Sequence, residues 1–168
     1  QDGAAGDNFD PLALDTVIGH DVFLGDGGFD ESLGEGGDDI VVGTEGPDKH
    51  KLASGFDWVT FKDDRFGVNA DMFKNAFNDA PLPASVASVG SRFAQVEGLS
   101  GSQQADILRG DDADALQIAN AGATGSVLTN LDLVTDLRSF LGTAAAGPDG
   151  VTGTADDQFG AGNIILGG

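Results

Sequence analysis

The fold is decided by residues 19–59, GHDVFLGDGGFDESLGEGGDDIVVGTEGPDKHKLASGFDWV. An aspartate returns at every ninth position of this stretch, namely Asp21, Asp30, Asp39, Asp48 and Asp57. A glycine precedes each of them by two residues, namely Gly19, Gly28, Gly37, Gly46 and Gly55. Apolar side chains follow three of the aspartates at a spacing of two, as Phe23, Val41 and Val59. A constant period of this kind marks a repeat architecture.

The chemistry of the three residue types explains the spacing. Glycine permits a turn with positive φ and leaves backbone carbonyls accessible, and aspartate supplies a hard carboxylate oxygen of the kind Ca²⁺ prefers. The apolar residue then enters a short strand and faces a core. We therefore predict calcium ligands in the turns at Asp21, Asp30, Asp39, Asp48, Asp57, Gly19, Gly28 and Gly37. For any single aspartate the alternative is an ordinary turn residue.

The pattern resembles the nonapeptide G-G-x-G-x-D-x-U-x (U apolar) of the RTX family of calcium-binding repeats. The resemblance implies a mainly β fold, a parallel β-roll or β-solenoid with Ca²⁺-bound turns, in which two nonapeptides form one coil. It places Asp21, Asp39 and Asp57 along one edge, and Asp30 and Asp48 along the other. Each calcium would lie between two stacked turns, and two to five ions are expected.

The later repeats depart from the pattern. Ser32 and His50 stand where an apolar residue is expected, so the edge of Asp30 and Asp48 is predicted to be the weaker one. A compensating positive cluster is predicted beside it, from Lys49, His50 and Lys51.

Beyond the repeats the sequence predicts further strands and a small α/β cap with one or two helices. The strands are predicted within residues 57–61, 67–72, 95–101, 105–111 and 162–168. Residues 73–94 contain Pro81 and Pro83, which predicts a loop with a short helix from about Ala84. A leucine stripe predicts a core-facing helix over residues 126–142 that ends at Gly142. The acidic loop over residues 147–157 is either a further calcium site or a plain solvated turn.

These predictions give one folded unit in five parts. They are a lead-in (1–18), the nonapeptide roll (19–64), degenerate solenoid rungs with a loop and short helix (65–125), a helix (126–142), and an acidic glycine-rich loop with a final strand (143–168). The start at Gln1 has no signal-peptide pattern, and we expect the chain to be a piece of a larger protein.

Charge and composition limit the partners. Lys and Arg number 8 against 28 Asp and Glu, a net charge of −20, which argues against nucleic acid and anionic membranes and favours divalent cations. No apolar stretch approaches the roughly 20 residues that span a bilayer, so membrane insertion is not expected. Cysteine is absent, which excludes disulfides and thiol catalysis.

The motifs do not indicate an enzyme. His20 and His50 are the two histidines, and the sequence lacks G-x-S-x-G, H-E-x-x-H and P-loop patterns. The RTX resemblance implies a calcium-binding structural module of a large bacterial adhesin. It would be exported by a type I system to the medium or cell surface, fold on Ca²⁺ after export as a monomer, and link neighbouring domains.

A wider resemblance suggests one alternative function. Residues 57–59, 67–68, 96–101 and 162–168 resemble the segment that accompanies haem-peroxidase-like regions in giant RTX adhesins. This resemblance implies a flanking or inserted part of such a catalytic region. A second alternative is a ligand-binding adhesion module.

Overall fold

The structure, a computed structural model, describes residues 19–43, 45–74, 76, 90–121, 125–132 and 135–167. The repeat stretch forms five short strands, β1 (Val22–Leu24), β2 (Glu31–Leu33), β3 (Ile40–Val42), β4 (Lys49–Lys51) and β5 (Trp58–Thr60). Each of them starts directly after one of the periodic aspartates, so the aspartate lies in the turn and the apolar position lies in the strand, as predicted.

Five further strands follow, β6 (Asn69–Asp71), β7 (Arg92–Ala94), β8 (Gly98–Ser100), β9 (Ile107–Arg109) and β10 (Ile164–Leu166). Strands β6, β8, β9 and β10 lie within the stretches predicted to be strands. Strand β7 was not predicted, because it lies in the stretch that two prolines marked as a loop. The lead-in over residues 1–18 and the helix predicted from Ala84 lie outside the described residues.

All strand pairs in the described part of the chain are parallel. The first sheet has the order β1-β3-β5-β8-β10, the second β2-β4-β7, and the third pairs β6 with β9. Successive strands of the repeat therefore go alternately to the first and second sheets. Val22 lies beside Ile40, and Ile40 lies beside Trp58. The predicted mainly β fold with few helices is confirmed.

The middle residue of each strand faces the interior. In the first sheet Val41, Val59 and Leu99 are buried one beside the next. In the second sheet His50 and Phe93 are buried in the same way. The removal of these side chains from water is the main force that holds the sheets together.

The outer face of the first sheet is covered by the C-terminal part of the chain. Trp58 and Ile164 pack in one cluster with Leu128, Leu137 and Phe159. Trp58 is therefore a core residue. The same face at β1 is open, since Val22 and Leu24 are 66% and 77% exposed.

The described residues contain two α-helices, α1 (Ala115–Ala119) and α2 (Leu137–Leu141), and a 3₁₀ turn (Gly142–Ala145) follows α2. The helix predicted over residues 126–142 is thus correct at its C-terminal end but wrong in extent. The reason is an antiparallel bridge in which the backbone N–H of Leu128 donates to Phe159 O at 2.8 Å and Leu128 O accepts the N–H of Phe159 at 2.9 Å. Those backbone groups are no longer available for helical hydrogen bonds. Neither described helix is long and apolar enough to cross a membrane.

Candidate calcium site

The periodic aspartates of the first sheet are joined by a repeated hydrogen bond. The backbone N–H of Asp21 donates to the carboxylate of Asp39 at 2.8 Å, and that of Asp39 donates to Asp57 at 2.9 Å. The backbone N–H of Asp57 then donates to the carboxylate of Glu97 at 3.0 Å. We call Asp21, Asp39, Asp57 and Glu97 the first-edge ladder. The three aspartates that the sequence assigned to one edge are therefore brought together.

The second edge repeats this contact once. The backbone N–H of Asp30 donates to the carboxylate of Asp48 at 3.1 Å. The next strand begins after Ser91, and its first N–H, from Arg92, donates to the carbonyl of Asp48 at 2.8 Å. Asp30 and Asp48 keep the ladder geometry despite the irregular repeats around them. This edge carries two carboxylates because its third position is a serine.

The predicted glycines allow the turns to stack closely. Gly37 has φ +124°, and a Cβ added there would overlap the carbonyl oxygen of Gly19. Gly46 meets the carbonyl of Gly28 in the same way, and Gly55 meets that of Gly37. An L side chain at these positions would be strained by φ and blocked by backbone. Backbone carbonyls therefore lie in the same turns as the ladder carboxylates.

Glu97 is a ladder residue that the sequence analysis did not assign. Its equivalence to the aspartates follows from the backbone, because Trp58 N donates to Asp39 O and Gly98 N donates to Asp57 O, both at 2.8 Å. The available signal was its place near the start of a stretch predicted to contain a strand. Outside the repeat period, that signal does not separate Glu97 from an ordinary surface glutamate.

A further turn shows the same contact in the third sheet. The carboxylate of Asp106 accepts the backbone N–H of Val68 at 2.8 Å and the Ser102 hydroxyl at 2.8 Å. This geometry is consistent with the prediction of degenerate solenoid rungs over residues 65–125. The neighbouring position carries Val68 in place of an acid, so no second carboxylate faces Asp106 across these two strands.

The members of the first-edge ladder from Asp39 to Glu97 are buried and acidic. Asp39 and Asp57 are fully buried, and Glu97 is 4% exposed. Burial, with the neighbouring charges of Glu97 and Asp39, raises the pKa of Asp57 well above its usual value. Burial likewise raises the pKa of Glu97 to about 8. The Oδ2 atom of Asp57 accepts no hydrogen bond from any residue that the structure describes.

The oxygen atoms of the ladder suit a hard divalent cation. Ca²⁺ takes about six to eight oxygen ligands, which include carboxylates and backbone carbonyls. Among the described residues, no three Asp, Glu, His or Cys side chains converge on one point. A site here would therefore combine one or two ladder carboxylates with carbonyls of the stacked turns. With these oxygens and the orphaned Oδ2 of Asp57, the donor set fits Ca²⁺.

The predicted positive cluster is wrong for His50. Its ring is buried 5.7 Å from that of Phe93, and its Nδ1 lies 2.9 Å from the Ser32 hydroxyl. Burial lowers the pKa of His50 to about 4, so the ring is neutral at pH 7. Lys51 points outward from the same strand and pairs with Glu31 at 2.8 Å.

In the acidic loop over residues 147–157, the buried carboxylate of Asp157 is bound by other residues of the same chain. Asp157 pairs with Arg138 and accepts the backbone N–H of Gly153 at 2.7 Å. The Thr154 hydroxyl donates to Asp156 at 2.8 Å. Of the two alternatives left by the sequence, these contacts favour the plain turn over a further calcium site.

In a comparison with known proteins, no family model, no curated protein and no solved structure matches this chain.

Proposed function

We propose that this chain is a calcium-binding structural module, in which the alternating parallel strands form a β-roll stabilised by Ca²⁺ at its turns. The observation that carries the proposal is the first-edge ladder. At three successive steps, a backbone N–H of one turn donates to the carboxylate of the next. This contact holds one oxygen of each carboxylate, and at Asp57 the other oxygen, Oδ2, accepts no hydrogen bond from a described residue.

Repulsion between buried carboxylates makes the folding of the proposed module depend on calcium. Buried carboxylates one strand apart repel each other, and the chain as a whole carries a net charge of −20. A buried charge costs several kcal/mol unless a partner of opposite sign compensates it. A bound divalent cation removes this repulsion, so its binding free energy becomes folding free energy.

Such a module suits a bacterial protein that is exported before it folds. Extracellular modules bind Ca²⁺ at roughly 10⁻⁴–10⁻³ M, so the chain would stay unfolded where calcium is scarce and fold outside the cell. We propose that it supports or links neighbouring domains of a large secreted adhesin at the cell surface, as a monomer without enzymatic activity. Nucleic acid binding and membrane insertion are not part of this proposal.

The positions of the two histidines give little support to the alternative of a segment that belongs to a haem-peroxidase-like region. His50 is enclosed between the sheets, and the Nδ1 atom of His20 accepts the backbone N–H of Asp38 at 2.8 Å. A haem absorption band in the purified chain would favour that alternative. Binding to a glycan array would favour a ligand-binding adhesion module.

The first test is far-UV circular dichroism with thermal melts, in EDTA and then across a CaCl₂ titration. We expect calcium to convert a weakly structured chain into a β-rich one that melts cooperatively. An unchanged spectrum and melting temperature in EDTA would contradict the proposal, because the ladder would then be stable without a cation.

A matched pair of variants distinguishes calcium binding at the first-edge ladder from a general effect of the negative charge of the chain. Asp39→Asn removes a fully buried ladder charge, whereas Asp63→Asn removes an exposed charge that pairs with Lys62. Both variants change the net charge equally. Asp39→Asn should raise the calcium midpoint at least about tenfold, which is about 1.4 kcal/mol of binding free energy, and Asp63→Asn should leave it unchanged. Equal midpoints would show that the ladder does not bind the cation.

A further inference from the structure

We propose that the turn before β8 is a divided calcium site, whose ligands come from Asp57, Glu97 and Ser126 in three separate segments of the chain. Glu97 and Ser126 belong to no nonapeptide, so this site is an addition to those predicted from the repeat. The inference rests on the proposed function, because it assumes that the first-edge ladder binds a divalent cation.

The acid half of the divided turn is Glu97. Its Oε2 accepts the backbone N–H of Asp57 at 3.0 Å, as the carboxylate of Asp57 accepts that of Asp39. The carbonyl of Glu97 accepts the N–H of Ile164 at 2.9 Å, as the carbonyl of Asp39 accepts that of Trp58. Both its backbone and its side chain therefore occupy the place of a repeat aspartate.

The glycine half of the divided turn is provided by residues 125–126. In the repeats, the N–H of Gly19 donates to Gly36 O and that of Gly37 donates to Ser54 O, at 3.0 and 2.8 Å. The N–H of Gly55 continues the series and donates to Gly125 O at 2.8 Å. Gly125 thus stands where a repeat has the residue before its stacking glycine, and Ser126 stands in the place of that glycine.

Two buried side chains of the divided turn offer oxygen atoms to a cation. Asp57 is fully buried, and its Oδ2 accepts no hydrogen bond from a described residue. Ser126 is also fully buried, and its hydroxyl makes no hydrogen bond of normal geometry to a described residue, although it is close enough to the Glu97 carboxyl to lower the pKa of that group. Two carboxylates and a hydroxyl offer oxygen atoms alone, which is the ligand set of a hard cation such as Ca²⁺.

The position of Trp58 provides a local probe for this site. Trp58 is the single tryptophan, tyrosine is absent, and Trp58 directly follows Asp57. Terbium(III) is a hard, oxygen-preferring ion that emits when a nearby indole transfers energy to it. We expect terbium emission excited through Trp58, and we expect Ca²⁺ to displace it.

The deciding variant is Glu97→Gln, which keeps the shape and the oxygen that accepts the Asp57 N–H but removes the charge. It should weaken terbium binding at Trp58 roughly tenfold or more, because calcium affinity follows the number of charged ligands. Glu31→Gln is the matched control, since Glu31 is exposed on the second sheet and pairs with Lys51. It should leave the emission titration unchanged.

The outcomes distinguish this inference from the function on which it rests. Unchanged terbium affinity in Glu97→Gln would overturn the divided site, even if the chain still folds on calcium. A wild-type chain that shows no calcium-induced change in circular dichroism would overturn the proposed function itself. If Glu97→Gln does not fold, Ser126→Ala decides, because it deletes one hydroxyl and leaves both carboxylates. A loss of terbium affinity in Ser126→Ala supports the site, and full affinity overturns it.

Discussion

At the scale of single residues, the most consequential feature is the orientation of buried carboxylates by backbone N–H groups. Asp39 and Asp57 each accept such a hydrogen bond within the first-edge ladder. A hydrogen bond to the ionised form favours charge, whereas burial opposes it more strongly at Asp57 and raises its pKa. Asp57 is therefore held in a geometry that suits a cation, in surroundings that penalise its charge when no cation is bound.

His50 is a further buried titratable group, and it makes stability depend on pH. Its pKa is about 4 in the folded chain against 6.5 as the ordinary value. The unfolded chain therefore binds a proton in this window and the folded chain does not. The stability that the neutral ring provides is complete above pH 6.5 and is lost as pH falls toward 4.

We expect the unfolding free energy in saturating calcium to fall by about 1 kcal/mol between roughly pH 7.5 and 5.5 through His50 alone. Urea unfolding at the two pH values measures the change. His50→Leu should remove this component, and the matched control His20→Gln, at an exposed turn position, should retain it. An equal drop in wild type and His50→Leu would contradict the assignment.

At the scale of elements, close stacking of the turns depends on glycine at particular positions. Gly55 and Gly150 both have positive φ, +128° and +71°. A Cβ at Gly55 would overlap the carbonyl of Gly37, whereas a Cβ at Gly150 meets nothing within 4 Å. Gly150 lies near the left-handed region that L residues tolerate at a moderate cost, whereas Gly55 combines a φ further from that region with a blocked turn.

We expect Gly150→Ala to destabilise the chain by about 1–2 kcal/mol, the cost of left-handed backbone for an L residue. Gly55→Ala should cost clearly more, because the turns must also separate. Denaturant unfolding in saturating calcium measures both. Equal losses would show that φ alone requires glycine at position 55, and that the stacked carbonyl does not contribute.

The nine-residue period predicted the repeat strands well because each repeat contains its own turn and its own inward residue. Strand β7 was missed because its signals are tertiary. Arg92 donates to the carbonyl of Asp48 at 2.8 Å, and Phe93 packs beside His50. Neither contact leaves a local pattern in the sequence.

The two helices illustrate opposite errors. The leucine stripe over residues 126–142 correctly indicated burial, since Leu128, Leu131 and Leu137 are buried, but a buried loop carries the first two. Helix α1 was missed, although Asp114 and Gln117 form a capping box that is visible as D-x-x-Q in the sequence. The helix has five residues, and a pattern that short gives no clear periodicity.

At the scale of the whole molecule, calcium acts on a chain with a net charge of −20, so specific binding must be separated from general screening. Salt at 0.1 M reduces interactions between exposed charges beyond about 10 Å, but it screens buried pairs much less. The ladder carboxylates Asp39, Asp57 and Glu97 belong to the buried class.

We therefore expect CaCl₂ to raise the melting temperature far more than NaCl of equal ionic strength. MgCl₂ should be weaker than CaCl₂, because Mg²⁺ is smaller, demands near-octahedral geometry and releases its water reluctantly. Thermal melts in EDTA-treated protein, with each salt added in turn, test the order. Identical curves for the three salts would assign the effect to screening of the net charge.

We expect the divided turn to set how long a folded molecule survives. Asp57 and Glu97 are 40 residues apart, and residues 125–126 must reach them as well, so closing this turn costs chain entropy that a local repeat turn avoids. Contacts of such long range stabilise the chain only after this entropy has been lost, so we expect the divided turn to close late, after the rate-limiting barrier. An ion held there would slow unfolding and leave the folding rate almost unchanged. The repeats would thus set how fast the molecule folds, and the divided turn would set its lifetime once folded.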